Sequence, residues 1–130
     1  MINITQDTAN TVVVTLTERG TATYYLFEFK SDTTEGVIYC IAQDASLFPE
    51  RFNKFTLTEV GSGTPTPANG EIKLSNEGQW RYYIYANSSS SNVDPTGLAM
   101  LEQGIVKVTG TISSTPTYSG GNATYTVYGE

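Results

Sequence analysis

Proton chemistry near neutral pH needs a group that titrates there, and this chain contains no histidine. A Ser-His-Asp or Cys-His triad is therefore excluded. A pair of carboxylates can still act as acid and base, as in glycoside hydrolysis. The thirteen Asp and Glu, however, fall mainly in turn-like stretches, and no two of them share an aromatic-rich cleft pattern. Solvated surface acids account for that scatter. Cys40 is the only cysteine, so neither an intrachain disulfide nor a cysteine-based zinc site can be built within the chain. A small apolar strand residue with a buried, unmodified thiol is the expectation for it. Oxygen donors for calcium stand at Asp32/Glu35 and Asn92/Asp94, but neither spacing matches a dedicated cage, and turn capping by these side chains is the preferred account. Gly61-Ser62-Gly63 runs into Thr64-Pro65 rather than a helix start, so it is no phosphate cradle. The triplets Asn3-Ile4-Thr5, Asn87-Ser88-Ser89 and Asn122-Ala123-Thr124 fit a glycosylation pattern, which carries no weight without a secretory leader. The expectation is a protein that is not an enzyme and uses no cofactor or metal.

What remains is recognition, and its richest stretch is Glu77-Gly78-Gln79-Trp80-Arg81-Tyr82-Tyr83-Ile84-Tyr85-Ala86. Period-two alternation puts Trp80, Tyr82, Ile84 and Ala86 on one face of a strand, and Gln79, Arg81, Tyr83 and Tyr85 on the other. The Trp80 face suits a core. The Arg81/Tyr83/Tyr85 face suits three uses: packing within the sheet, a protein interface, or a sugar-stacking platform.

The frame that must hold this strand is all-β. Nine Tyr, five Phe and one Trp accompany many Thr and Val, while helix formers are thinly spread. A chain of 130 residues fits one domain, which buries roughly two-thirds of its unfolded surface. A net charge of −6 and a pI near 4.5, with seven unclustered Lys and Arg, argue against binding a phosphate backbone. Nucleic acid is not an expected partner. The N-terminal Met1-Ile2-Asn3-Ile4-Thr5-Gln6-Asp7 lacks a basic region and a long apolar run, so no signal peptide is expected, and no stretch has membrane-spanning length.

Strands are predicted over residues 10–18, 24–30, 37–42, 52–60, 71–74, 79–86 and 101–109, separated by turn signals. Seven strands fit an immunoglobulin-like antiparallel β-sandwich over residues 1–109. The second and third should form a hairpin, and the Trp80 and Ile105 strands should be neighbours. Trp80, Tyr82, Ile84, Val12, Val14, Leu16, Phe27, Phe29 and Leu57 are the expected core. The third strand, apolar on both faces, should be well covered. The Gln43-to-Arg51 connection should be a loop with one helical turn, its Leu47-Phe48 plugging an open end of the core. Residues 110–130 form an extension with no alternation until Ala123-Thr124-Tyr125-Thr126-Val127-Tyr128. That final run reads as an arm that adds a strand to a neighbouring subunit, with Tyr118, Tyr125, Val127 and Tyr128 among its contacts, or as a further strand on its own sandwich.

The order of Asn10-to-Glu18, Tyr24-Tyr25-Leu26-Phe27-Glu28-Phe29, Phe48-Pro49-Glu50-Arg51-Phe52-Asn53-Lys54-Phe55, Gly78-to-Tyr85 and Glu102-to-Val108 resembles small proteins encoded among the virion genes of crAss-like and related tailed bacteriophages of Bacteroidetes. The likeness covers residues 3–110. It implies a virion structural role, most plainly as an auxiliary capsid or head-fibre-associated β-sandwich present in many copies. Its partners would be a major capsid or head-fibre protein, and it would be made in the cytoplasm of the bacterial host. It carries over no catalytic residue. A carbohydrate-binding sandwich of a phage tail or fibre is the alternative.

Overall fold

Alternation of apolar side chains is what builds the two layers. The computed structural model describes residues 2–32, 36–61, 63–74 and 77–110. The strands are β1 (Ile2–Thr5), β2 (Thr8–Val14), β3 (Tyr24–Ser31), β4 (Val37–Ala42), β5 (Asn53–Glu59), β6 (Glu71–Ile72), β7 (Gly78–Asn87) and β8 (Met100–Thr109), with one 3₁₀ turn at Pro67–Asn69. A five-stranded sheet in the order β1-β8-β7-β3-β4 faces a three-stranded sheet in the order β2-β5-β6. The fold is an all-β sandwich. Its ladders are antiparallel except two, β1 with β8 and β5 with β6, which run parallel.

The centre of the larger sheet is β7, flanked by β8, as the sequence implied, and on its other side by β3. All nine expected core residues are buried, and so is Cys40. Tyr25 and Phe27 from one sheet meet Phe55 of the other edge-on, with ring centroids 5.2 and 5.0 Å apart. This geometry suits the quadrupoles of stacked aromatic layers. Buried residues from Ile2 to Val108 form one cluster.

Several details differ from expectation. The first strand of the alternating Val12/Val14/Leu16 run stops at Val14; Leu16 stays buried, but its amide donates to the Asn53 side chain at 2.6 Å instead of to a ladder. The N-terminal Ile2–Thr5 is an additional strand. Only four residues long, it is held by parallel pairing to the chain's distant β8. β4 is an edge strand rather than a fully covered one, and Val37 is exposed. Leu47 and Phe48 do not plug the core: they are 85% and 53% exposed. The predicted helical turn is there, with the Arg51 and Phe52 amides both donating to the Phe48 carbonyl. It turns its apolar side chains outward because Asp44 and Asn53 already close that end. Asp44 accepts from Ser46 N, Lys54 N and Asn53 Nδ2 at 2.8, 3.0 and 2.7 Å.

Two polar groups, one buried and one half-buried, tie the loops to the sandwich. Glu59 lies in the inward phase of β5 and is buried, with Oε1 accepting from the amides of Asp7 and Gly61 and Oε2 from that of Leu74, each at 2.7 Å. A buried carboxylate is tolerated only when its lone pairs are used in this way. Asn10 bridges the β1–β2 corner like a short ladder: its Oδ1 accepts from Thr5 N at 2.9 Å and its Nδ2 donates to Thr5 O at 3.0 Å.

Candidate interaction surface

The outward face of the five-stranded sheet is where Arg81, Tyr83 and Tyr85 come together. Cross-strand register sorts the face into rows. Ile41, Leu26, Tyr85 and Met100 lie side by side; so do Tyr39, Glu28, Tyr83 and Gln103; so do Val37, Lys30, Arg81 and Ile105. The face thus grades from apolar through aromatic to charged.

The apolar row is partly covered. Leu26 and Ile41 are buried yet belong to no part of the central core cluster. Residues 88–99 return over this side, since the Ala86 amide donates to Ala99 O at 2.9 Å and the Asp94 charge reaches the Tyr39 hydroxyl. Buried Asn87 starts that loop, donating to Asn92 O at 2.9 Å and accepting from Ser89 N at 3.1 Å. Asn92 and Asp94 then each accept the amide two residues on, at 3.0 Å, which makes them turn caps.

Tyr85, from the apolar row, reaches into the aromatic row, where its hydroxyl donates to Glu28 Oε1 at 3.1 Å. Burial first, and then the Glu28 carboxylate, push the Tyr85 phenol up to about 12. Tyr39 is raised as well, by burial and then by Glu28 and Asp94. Tyr83, half-exposed between Glu28 and Gln103, has no hydrogen-bond partner for its hydroxyl among the described residues. A half-exposed tyrosine ring with a free polar tip is suited to a partner.

In the charged row, Arg81 is 56% exposed on its side chain and donates through Nε to Asp32 Oδ1 at 3.1 Å, while Gln79 Nε2 donates to Asp32 Oδ2 at 2.7 Å. The Gln79 amide and then the Arg81 guanidinium hold the Asp32 carboxyl below its usual range. Nε is spent on Asp32, and the outer nitrogens of the guanidinium have no hydrogen-bond partner among the described residues. Met100 and Ile105 are exposed at the margin.

Sequence reasoning identified Arg81, Tyr83 and Tyr85 but not Glu28, Asp32, Tyr39 or Met100 around them. Glu28 was readable as outward-facing from its phase; its position beside Tyr83 follows only from the β3–β7 register. Tyr118, Tyr125, Val127 and Tyr128 lie outside the described residues.

One cleft of about 290 Å³ lies elsewhere, between the β4 edge and the smaller sheet, lined by Tyr24, Ile41, Ala42, Gln43, Ala45, Thr56, Ala68 and Asn69. It carries no ionisable group other than the Tyr24 phenol. Gly70, next in sequence to Asn69, is in a left-handed conformation, φ 74°, where a Cβ would stand 3.1 Å from Thr56 O. Among the described residues no three His, Cys, Asp or Glu side chains gather as a metal site, and no helix is long and apolar enough to cross a membrane.

No protein-family model, curated protein or solved structure matches the chain.

Proposed function

We propose that the chain is a structural component of a bacteriophage particle, an auxiliary capsid or head-fibre-associated protein that acts by binding other virion proteins. The observation that carries the binding part of this reading is the graded outer face. It joins Tyr83, whose hydroxyl has no hydrogen-bond partner among the described residues, with the exposed Arg81 guanidinium, Met100 and Ile105. Tyr, Arg and Met are the residues that protein interfaces enrich, and an open sheet face suits a protein better than a small molecule, which needs a concave pocket. The phage address rests on the resemblance of residues 3–110. In this reading the protein works in many copies, without chemistry, nucleic acid or membrane, and is made in the host cytoplasm. Locating it in a density map of a purified virion tests the reading; a particle of complete composition that lacks it overturns it.

The carbohydrate reading has its own support in the Tyr24 cleft, whose one aromatic ring, two amides and a hydroxyl form an uncharged polar lining. Glycan-array binding lost on Tyr24→Ala but kept on Tyr83→Ala would favour that cleft over the sheet face.

A further inference from the structure

Leu47 exposes more of its surface than any other large apolar residue among those described, and Phe48 beside it is half exposed. On a loose loop such a pair would mean little. Here the backbone is pinned from several sides: the Phe48 amide donates to Ser46 Oγ at 3.0 Å, and the Phe48 carbonyl accepts from the Arg51 and Phe52 amides. Thr17 Oγ1 donates to Pro49 O at 2.6 Å, and the Phe48 ring lies against Phe52 with centroids 6.5 Å apart. The turn is a preformed apolar knob, and a partner that covers it meets little cost of ordering.

A hole lies next to the knob. The cleft of about 290 Å³ between the β4 edge and the smaller sheet has Tyr24 as its one ring, and Ala42, Ala45 and Ala68 among its walls have side chains short enough to leave it open. A cavity of about 150 Å³ already admits benzene, so a phenylalanine ring fits. Ala45 is three residues from Phe48, and its amide donates to Lys54 O at 2.7 Å on the outer edge of β5. Phe52 directly precedes β5, whereas Thr56, in the cleft, lies within it. At about 3.3 Å per residue the two are roughly 13 Å apart.

We infer that the chain forms a two-fold dimer in which Leu47 and Phe48 of each copy enter the cleft of the other. A two-fold contact uses the same patch on both copies, so the patch must carry a projection and its receptor side by side. This one does. Phe48 cannot turn back into its own cleft, because Ser46, Thr17 and the Arg51 and Phe52 amides hold its backbone where it is. A net charge of −6 opposes self-association in general, yet the knob is uncharged and the cleft has no ionisable group besides the Tyr24 phenol. Glu50, Arg51 and Lys54 around them carry both signs. Few side chains enter from each copy, which places the contact among small interfaces, below about 1,200 Å² in total, and makes the dimer a weak one. Nothing in this pairing depends on the phage address or on the outer face of the larger sheet.

Sedimentation equilibrium of the full-length protein from micromolar to millimolar concentration tests it. The parent should pass from monomer to dimer within this range. Phe48→Ser removes the knob and Ala68→Trp fills the hole; both positions are exposed, so thermal midpoints should hold. Each variant alone should weaken the dimer by about tenfold or more, as the loss of an interface anchor does. An equimolar mixture of the two keeps one intact knob and one intact hole, and should dimerise more tightly than either variant alone. Tyr83→Ala, on the outer sheet face, should leave the dimer unchanged. That set of results supports the inference. A parent that stays monomeric throughout, with or without a glycan bound in the cleft, overturns it, and so does a dimer indifferent to Phe48→Ser or Ala68→Trp, one abolished by Tyr83→Ala, or a mixture no tighter than its components.

Discussion

Tyr82 lies across Gly104, its cross-strand partner on β8, so closely that a Cβ at Gly104 would sit 2.7 Å from Cε2 and 2.9 Å from the hydroxyl oxygen. The ring cannot swing away freely, because its hydroxyl donates to Glu102 Oε2 at 2.5 Å and the side chain is buried. Gly104→Ala should therefore destabilise the domain by about 1–3 kcal/mol despite the higher strand propensity of alanine, as overpacking does. Urea denaturation of the two proteins measures it; an equal or higher midpoint for the variant would refute the contact.

Glu59 gives a second prediction. Its two oxygens take three backbone amides from the β1–β2 turn, the end of β5 and the segment after β6. Glu59→Gln replaces one acceptor oxygen with a donor NH₂, leaving at least one amide facing another donor. The expected loss is about 2–4 kcal/mol, since hydrogen bonds to a charged group are worth roughly 1.5–3 kcal/mol and a buried orphan adds its desolvation cost. Faster exchange of the Leu74 amide should accompany it, and a Glu59→Gln protein as stable as the parent would show the carboxylate to be dispensable.

Period-two alternation made much of this fold legible. The Trp80/Tyr82/Ile84 face, the Phe27/Phe29 face and the pairing of β7 with β8 all follow from side chains that must share one side of a pleat. Glu59 was legible in principle: it continues the inward phase of Phe55 and Leu57, and an acid in that phase signals a buried, satisfied carboxylate. Other features had no local signal. Ile2 and Ile4 alternate for only four residues, and their strand exists because β8, a hundred residues away, offers a parallel edge. Leu47-Phe48 resembles a plug in composition, but which way the turn faces is decided by the Asp44–Asn53 bonds that had already closed the site. The rows around Tyr83 depend on register across three strands, which pairwise alternation within any one strand does not encode.

Tyr85 yields a pH prediction. Its phenol titrates near 10 in an unfolded chain and is pushed up to about 12 in the fold, first by burial and then by the Glu28 carboxylate. A raised folded value means that the neutral phenol is favoured by folding. That contribution is fully present below pH 10 and is lost as pH rises through about 12. The parent should lose stability across this interval, and Tyr85→Phe should lose less of it. Thermal midpoints of both proteins from pH 9 to about 12 check the sign; parallel curves would mean that Tyr85 titrates as it does in the unfolded chain.

The sheet face provides the functional prediction, and it depends on separating binding from folding. Arg81 is largely exposed and its contact with Asp32 is a surface pair, a type of interaction that adds little to stability. Tyr83 projects beside it without a hydrogen-bond partner among the described residues. Replacing either residue should leave the thermal midpoint nearly unchanged, because neither belongs to the core cluster. Trp80→Ala on the opposite face of the same strand should instead cost about 3–5 kcal/mol, as cavities of that size do. If the face is the docking surface, Arg81→Glu and Tyr83→Ala should each weaken incorporation into particles by about tenfold or more, as interface anchors do. Tyr83→Phe, which keeps the ring and removes only the hydroxyl, should fall between Tyr83→Ala and the parent. Quantifying the protein in purified particles from a host supplying each variant makes the comparison. Normal incorporation of Arg81→Glu and Tyr83→Ala, at unchanged midpoints, would remove this face from the assembly.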